Sequence, residues 1–448
     1  MIKSWTDVKE EAAEYLSRLI QINTSNSLQN EMEAIRLLVE IAERNGLYTK
    51  VHQTGENRGN VVISLKADYH EPIILLSHLD VVPANEEDWE VPPFSGEIVD
   101  DVMWGRGTID TKQLTITQLM VLLLLKRNNI TLNRDVIMVA TSDEENGSQY
   151  GLIPFLEDYP HLFKNSIVFN EGGGFPILID EHVYYLCELG QKGLARVKIT
   201  AKNDFTSNPY LPNNSAWQNI IKTIEAFQSP EIIERIPSST NTLFSTIAFD
   251  KGISFSEKDF ETFIKIIPSS YVSLFKAMAK STFSITKWDG GKKHSTAGTK
   301  YEIYLDCRPI PSVTRDLFKE VLREILGDIP VEYEILSFSQ GYESQINKTH
   351  LALFEEEVKK EVPHAKVVPF LSIGGSDSRH LNSLSSQIYG YCPMLPDMTF
   401  DKVITMVHGI NERIPLESLR FGIQNMYNIL VKMEGSDRYD NGYERNYI

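Results

Sequence analysis

At 448 residues the chain is too long for one ordinary hydrophobic core, so two domains are expected. Its composition is that of a globular protein, and a formal net charge of -17 argues against a nucleic-acid partner or an anionic membrane surface, since either calls for a basic face. Cys187, Cys307 and Cys392 are an odd set without short spacing, which is neither a disulfide framework nor a zinc finger and fits a reducing cytosol. The opening residues, MIKSWTDVKEEAAEYLSRLIQI, carry acidic side chains where a secretory leader has a cationic end. The longest apolar stretch, around residues 119–125, falls far short of the roughly 20 residues of a membrane span. A cytoplasmic protein without membrane contact is the expectation.

The elements follow in chain order. Residues 5–22 read as an amphipathic helix with Ala13, Leu16, Leu19 and Ile20 on one face. Residues 30–45 read as a second helix, capped by Asn30 and ended by Gly46. Apolar strands then alternate with helices: NVVISLKA, PIILLSHLD, a helix over 112–128, VIMVATSDEE and SIVFNEGGG. That alternation predicts an α/β fold, a mostly parallel mixed sheet with helices on both faces. After about residue 190 the texture changes: GLARVKITAK alternates like a half-buried strand, and SAWQNIIKTIEAFQ is helical. A helix-rich stretch follows over 229–281, then YEIYLDCR, the helix TRDLFKEVLREILG and VEYEILSF. These predict a smaller inserted α+β domain over 191–341, with 1–190 and 342–448 forming the main domain. A helix over 351–361, the Gly-rich SIGGSDSR, a last helix over 416–433 and a mobile polar tail complete the chain.

The chemistry-bearing residues fall where an open α/β sheet gathers its ligands, beyond the carboxyl ends of strands. His78 and Asp80 follow PIILLS, Glu144 and Glu145 follow VIMVATS, and Glu171 follows SIVFN. In His78-Leu-Asp80 the two polar side chains share a side of an extended segment, so Asp80 is placed to accept the second ring N–H of His78. Asp110 sits in GRGTIDTK; a carboxylate has two oxygens and can bridge two metal ions, although a helix-capping turn aspartate has the same look. Adjacent Glu144 and Glu145 repel unless a cation is present; one ligates and its neighbour is left as a general base. An exposed acidic turn is the rival reading, since Asp143, Asn146 and Gly147 are turn formers. His408, in VHGINERIP, is by itself no better a candidate than the other scattered histidines. Arg106 and Lys112 read equally well as structural ion pairs. Imidazole with carboxylate is the donor set of an open zinc site, although cobalt or manganese is accommodated as well.

Together the strings SHLDVVPA, WEVPPFSGEIVDDVMWGRGTIDTK, TSDEENG, NEGGG, GGSDSRH and VHGINERIP resemble the dinuclear zinc superfamily of aminoacylase, carboxypeptidase S, acetylornithine deacetylase and succinyl-diaminopimelate desuccinylase. The carboxypeptidase S branch is nearest. The resemblance implies two divalent ions, most simply Zn2+: His78 and Glu171 on one, Glu145 and His408 on the other, Asp110 bridging. It implies Glu144 as general base, Asp80 as the orienter of His78, and a ferredoxin-like lid as the inserted domain. Arg308 matches the arginine that grips a substrate carboxylate, and Gly374, Gly375 and Ser376 line the substrate pocket. The implied reaction is hydrolysis of an amide or peptide bond beside a free carboxylate, in an N-acyl amino acid or short peptide.

The lid departs from the pattern. Phe205 stands where the family has an oxyanion-donating histidine, and Ser295 where it has an asparagine. An oxyanion donor is worth about 2.7–4 kcal/mol of barrier. Its role falls to His294, or to Asn213 or Asn214, or the substrate is unusual, or the enzyme is slow; the alternative is a metal-retaining binding or regulatory protein with weak or no turnover. Phe205 also removes the main argument for the family's lid-to-lid homodimer, which stays open.

Overall fold

The computed structural model describes residues 4–67, 71–202, 216–228, 235–290, 300–385 and 387–440, with side chains to 433. Phe205, Asn213, Asn214, His294 and Ser295 lie outside the described residues. The chain forms two compact units. The first comprises Met1–Glu188, Ser344–Pro369 and Ser376–Ile448; the second comprises Leu189–Glu343 and Phe370–Gly375.

The first unit is built on a mixed sheet. Its centre is a parallel run in the order Val136–Thr141, Ile73–His78, Ile167–Asn170, Gln387–Gly390. Antiparallel strands flank that run: Gly59–Leu65 and Tyr48–Gln53 on one side, His182–Gln191 on the other. Every residue of Ile73–His78 and Val136–Thr141 is buried, which is why both read as continuous apolar runs: each is covered on both faces. The helix Lys112–Arg127 packs against these strands and is buried from Lys112 through Leu125. Around it lie Trp5–Gln21 and Leu416–Asp440. Trp5–Gln21 begins where Ser4 accepts the Asp7 N–H at 3.0 Å and buries Ala13, Leu16, Leu19 and Ile20, the face its periodicity predicts. Asn30 precedes Glu31–Arg44, but its side chain donates to Glu33 instead of capping.

Several strands lie outside the predicted elements, among them Gln387–Gly390, His182–Gln191 and Tyr48–Gln53; the last, YTKVHQ, is a half-exposed edge strand without an apolar run. The last helix continues past 433 to Asp440; Gly435 costs helix stability without breaking the ladder, unlike a proline.

The second unit is α+β. Its antiparallel sheet has the order Thr282–Gly290, Lys300–Arg308, Leu194–Lys202, Glu332–Ser339. The helices Ala216–Gln228 and Arg315–Leu326 pack together, and the sheet contributes Val197, Ile199, Ile303 and Leu305 to their common core. The order strand–helix–strand–strand–helix–strand, with the first and third strands central, is ferredoxin-like. Three helices, Ser238–Asp250, Phe260–Ile264 and Ser269–Ala279, are interpolated before the second strand. Among the described residues, no helix is long and apolar enough to cross a membrane.

Candidate metal centre

The parallel run delivers three ligand-bearing chain segments to one edge of the first unit. His78 is the last residue of its strand, Glu171 follows Ile167–Asn170 directly, and Glu144 begins a short 3-10 turn after Val136–Thr141. Parallel neighbours end at the same edge, so the three strand ends meet there. Asp110 arrives on the loop before the central helix, and His408 on the loop before Arg413–Pro415. The backbone is spent freely at these turns. Asp143, just before the glutamate pair, and His408 both sit in the left-handed region, at φ 64° and 59°. Gly172, at φ 105°, follows Glu171 where an added Cβ would fall 2.1 Å from a Glu188 carboxylate oxygen.

The five widely spaced residues form two groups that share Asp110. In one, His78 Nε2 lies 3.1 Å from Asp110 Oδ1 and 3.7 Å from Glu171 Oε2. In the other, His408 Nε2 lies 3.1 Å from Asp110 Oδ2 and 2.9 Å from Glu145 Oε2. Within each group the ligand atoms lie within 4.8 Å of one another. His78 is almost fully buried, whereas the His408 side chain is 53% exposed.

Asp80 acts through two groups, its main-chain carbonyl and its carboxylate. Its main-chain carbonyl is 2.9 Å from His78 Nδ1, nearer than its carboxylate at 3.6 Å, and leaves Nε2 facing the acidic group. The carboxylate instead accepts the backbone N–H groups of Glu144 and Glu145, at 3.0 and 3.1 Å, and so fixes the glutamate pair. The sequence reading gave the ring N–H to the carboxylate; alternation places that carboxylate on the right side but does not reveal the nearer carbonyl.

The electrostatics of the protein alone describe a centre short of positive charge. Burial pushes Glu144 well above the ordinary carboxyl range, with the charge of Glu171 adding to it. Burial likewise raises Glu171 to about 7, against the pull of His78. Burial works against a charged His78, yet Glu171 and hydrogen bonds to Asp110 and Asp80 hold it well above the ordinary imidazole value. Hydrogen bonds to Asp110 and Glu145 raise His408 to about 10. Asp110 is held low despite burial, because both imidazoles donate to it. Protons on the two imidazoles thus occupy positions where a cation would satisfy the same carboxylates. The donor set fits divalent ions: two imidazole nitrogens, carboxylates in each group, and one carboxylate reaching both.

Several buried residues outside the predicted set hold this centre in shape. Glu412 Oε1 accepts the N–H groups of Ile109 and Asp110, at 2.6 and 3.0 Å; Oε2 accepts the Gly107 N–H and pairs with Arg106 Nη1 at 2.7 Å. Arg106 Nη2 donates to the Gly409 carbonyl, so one ion pair ties the Asp110 loop to the His408 loop. Arg58 joins Glu31 and Asp143, at 2.7 and 2.8 Å, directly behind the glutamate pair. Arg379 Nη2 is 3.7 Å from Glu144 Oε1. Arg106 is thus the ion pair its sequence allowed, whereas Lys112 is buried and donates to the Leu19 and Ile22 carbonyls. The usable signal was Glu412 itself, an acid four residues beyond His408.

The remaining predicted residues divide between the two units. Ser376 is buried in the first unit, where its Oγ accepts from Asn170 Nδ2 at 3.2 Å. Gly374 and Gly375 belong to the second unit, as does Arg308, whose Nε donates to Asp306 at 2.6 Å.

A carboxylate–imidazole centre at the carboxyl ends of parallel strands is the arrangement that a metal-dependent hydrolase needs. The model of peptidase family M20/M25/M40 matches residues 74–432, and the chain belongs to that family. It is 25% identical over 380 residues to the N-fatty-acyl-amino acid synthase/hydrolase PM20D1 of Xenopus tropicalis, covering 82% of this chain and 73% of that protein. It is 25% identical over 386 residues to the probable carboxypeptidase S-like 2 of Dictyostelium discoideum, covering 81% and 72%. Its fold is similar to that of the M20 family metallo-carboxypeptidase Sso-CP2 from Sulfolobus solfataricus, with a TM-score of 0.68 at 17% identity over 94% of this chain and 98% of that one.

Proposed function

We propose that this chain hydrolyses the amide or peptide bond of an N-acyl amino acid or short peptide, beside a free carboxylate, with two divalent ions, most simply Zn2+. His78 and Glu171 would hold one ion and Glu145 and His408 the other, with Asp110 reaching both. The carrying observation is that Asp110 offers one oxygen to each imidazole at the same 3.1 Å, while each imidazole faces a second carboxylate. When bound, the ions supply Lewis acidity that polarises the scissile carbonyl and acidifies a water.

The protein supplies the proton handling. Glu144, buried at the centre and held by the Asp80 carboxylate through its own N–H, takes the proton of the attacking water and passes it to the leaving nitrogen. A raised proton affinity suits that task, since the same group must both accept and release a proton. The charge of His78 opposes that rise, and Arg379 Nη2 lies 3.7 Å from Glu144 Oε1. Arg308 is assigned the substrate carboxylate: Asp306 occupies its Nε and Nη2, and Nη1 has no partner among the described residues. Gly374, Gly375 and Ser376 are assigned to the substrate pocket, and the second unit to the lid. A cytoplasmic location goes with the three free, buried cysteines.

The test is Glu144→Gln, which keeps shape and removes the base. Turnover on a panel of N-acyl amino acids and dipeptides should fall by about 10²–10⁴-fold while metal content per chain stays at the wild-type value. Undiminished turnover in that variant would remove Glu144 from the reaction.

A further inference from the structure

A second place in the first unit is built like a ligand site. On one face of the sheet edge, alternate residues of Tyr48–Gln53 and Gly59–Leu65 point the same way, with Lys50 opposite Val62 and Tyr48 opposite Ser64. The helix Leu152–Asp158 and the turn after it face this surface, leaving a groove of about 400 Å³. That is within the range of small-molecule pockets. Val62, Ile137, Phe155 and Leu162 give it an apolar lining. The ammonium groups of Lys50 and Lys66 line it beside the imidazoles of His52 and His161, in a chain whose net charge is -17.

One buried group in it lacks what its chemistry asks for, and one exposed ammonium has no carboxylate beside it among the described residues. Ser64 is 3% exposed, and its Oγ has no hydrogen-bond partner among the described residues. A buried unsatisfied hydroxyl is costly and calls for a partner. Lys66 and His52 are already matched at the rim by Asp135 and Asp158, each at 2.8 Å. Lys50 is matched by no carboxylate among the described residues; its ammonium sits over the Tyr159 ring, 4.1 Å from the centroid.

We propose that this groove binds a small amphipathic carboxylate. Its anionic head pairs with Lys50, its apolar body lies along Val62, Ile137 and Leu162, and a polar atom near its head meets Ser64 Oγ. Lys50, held over Tyr159 but facing no carboxylate among the described residues, matches a monoanion, and the apolar lining excludes a ligand that is all charge. The site is separate from the metal centre and does not depend on the reaction assigned there.

Octanoate is the probe and octylamine, with the same tail and the opposite charge, its control. Both are titrated calorimetrically into the metal-loaded full chain with acetohydroxamate in excess, so that the metal centre is already occupied. Octanoate should bind with a Kd below about 1 mM and octylamine should not. Lys50→Met, which keeps the stem over Tyr159, should weaken octanoate at least about tenfold, and Ser64→Ala by about fivefold, the loss of one hydrogen bond. Both variants should keep wild-type metal content and turnover, because neither residue belongs to the catalytic centre; that readout also shows that they fold. No octanoate binding to the wild type, equal binding of octylamine, or unchanged affinity in Lys50→Met would each overturn the proposal.

Discussion

The two halves of the metal centre share one aspartate and are otherwise built by opposite means. The His78 half is made of strand ends: His78 closes a fully buried strand, Glu171 follows a neighbouring one, and the Asp80 carbonyl fixes the ring. The His408 half is made of loops. Its histidine is half exposed on a left-handed residue, and its place depends on Arg106 and Glu412 reaching across from the Asp110 loop. The difference teaches that one half is shaped by the core and would persist without an ion, whereas the other is shaped by a buried ion pair between loops and owes more to what it binds.

The largest contrast should come from removing each imidazole in turn. His78→Ala removes the buried imidazole that Glu171 faces and one of the two donors to Asp110, and should cost the metal-free protein about 3–5 kcal/mol of stability, as when a buried pair is broken. His408→Ala removes a solvent-screened partner and should cost no more than about 1 kcal/mol. It should leave close to half the wild-type metal per chain, measured by elemental analysis after gel filtration, whereas His78→Ala should lose more. Equal stability losses in urea unfolding would end the distinction between a core half and a loop half.

Glu412→Gln sharpens the same comparison from behind. It replaces the charged acceptor of the Ile109 and Asp110 N–H groups and breaks the pair with Arg106, without touching a ligand. Chelator competition should show about 10–100-fold weaker metal binding, with the His408 half losing more than the His78 half.

The smallest effect is a pH dependence of the metal-free protein. Glu171 and His408 both have folded values above their unfolded ones, near 7 against about 4.3 and near 10 against about 6.5. A raised folded value contributes stability that is complete below the unfolded value and fades as pH climbs through the folded one. The metal-free melting temperature should therefore decline from about pH 4.5 to 7 through Glu171; above that, His408 continues the decline while buried Lys112, whose folded value of about 7 lies below its unfolded one, opposes it. Added zinc should restore most of the loss at the alkaline end. A melting temperature that rises from about pH 4.5 to 7 would contradict the charge balance derived for the centre.

Legibility followed the same division. Ile73–His78 and Val136–Thr141 were readable because burial on both faces makes strands continuously apolar, and the turn residues after them marked where ligands emerge. Tyr48–Gln53 and the continuation of the last helix were not, since an edge strand and a fraying terminus carry little periodic signal. His408 illustrates the limit within the site. Taken alone it resembled any scattered histidine, and only the motif resemblance singled it out. The Arg106–Glu412 pair, which secures it, spans 306 residues, and its one local sign is an acid four residues beyond His408.

The order of residues by itself determined the donor types, the strand ends that bear His78, Glu144 and Glu171, and the presence of an inserted α+β segment, because these depend on local chemistry and on hydrophobic period. Only the tertiary structure decided that Asp110 faces both imidazoles, that the Asp80 carboxylate holds the glutamate amides while its carbonyl takes the histidine, and that Lys50 and Ser64 share a groove. Those facts rest on distances between segments far apart in the chain, which are set by packing and by no property of any one segment.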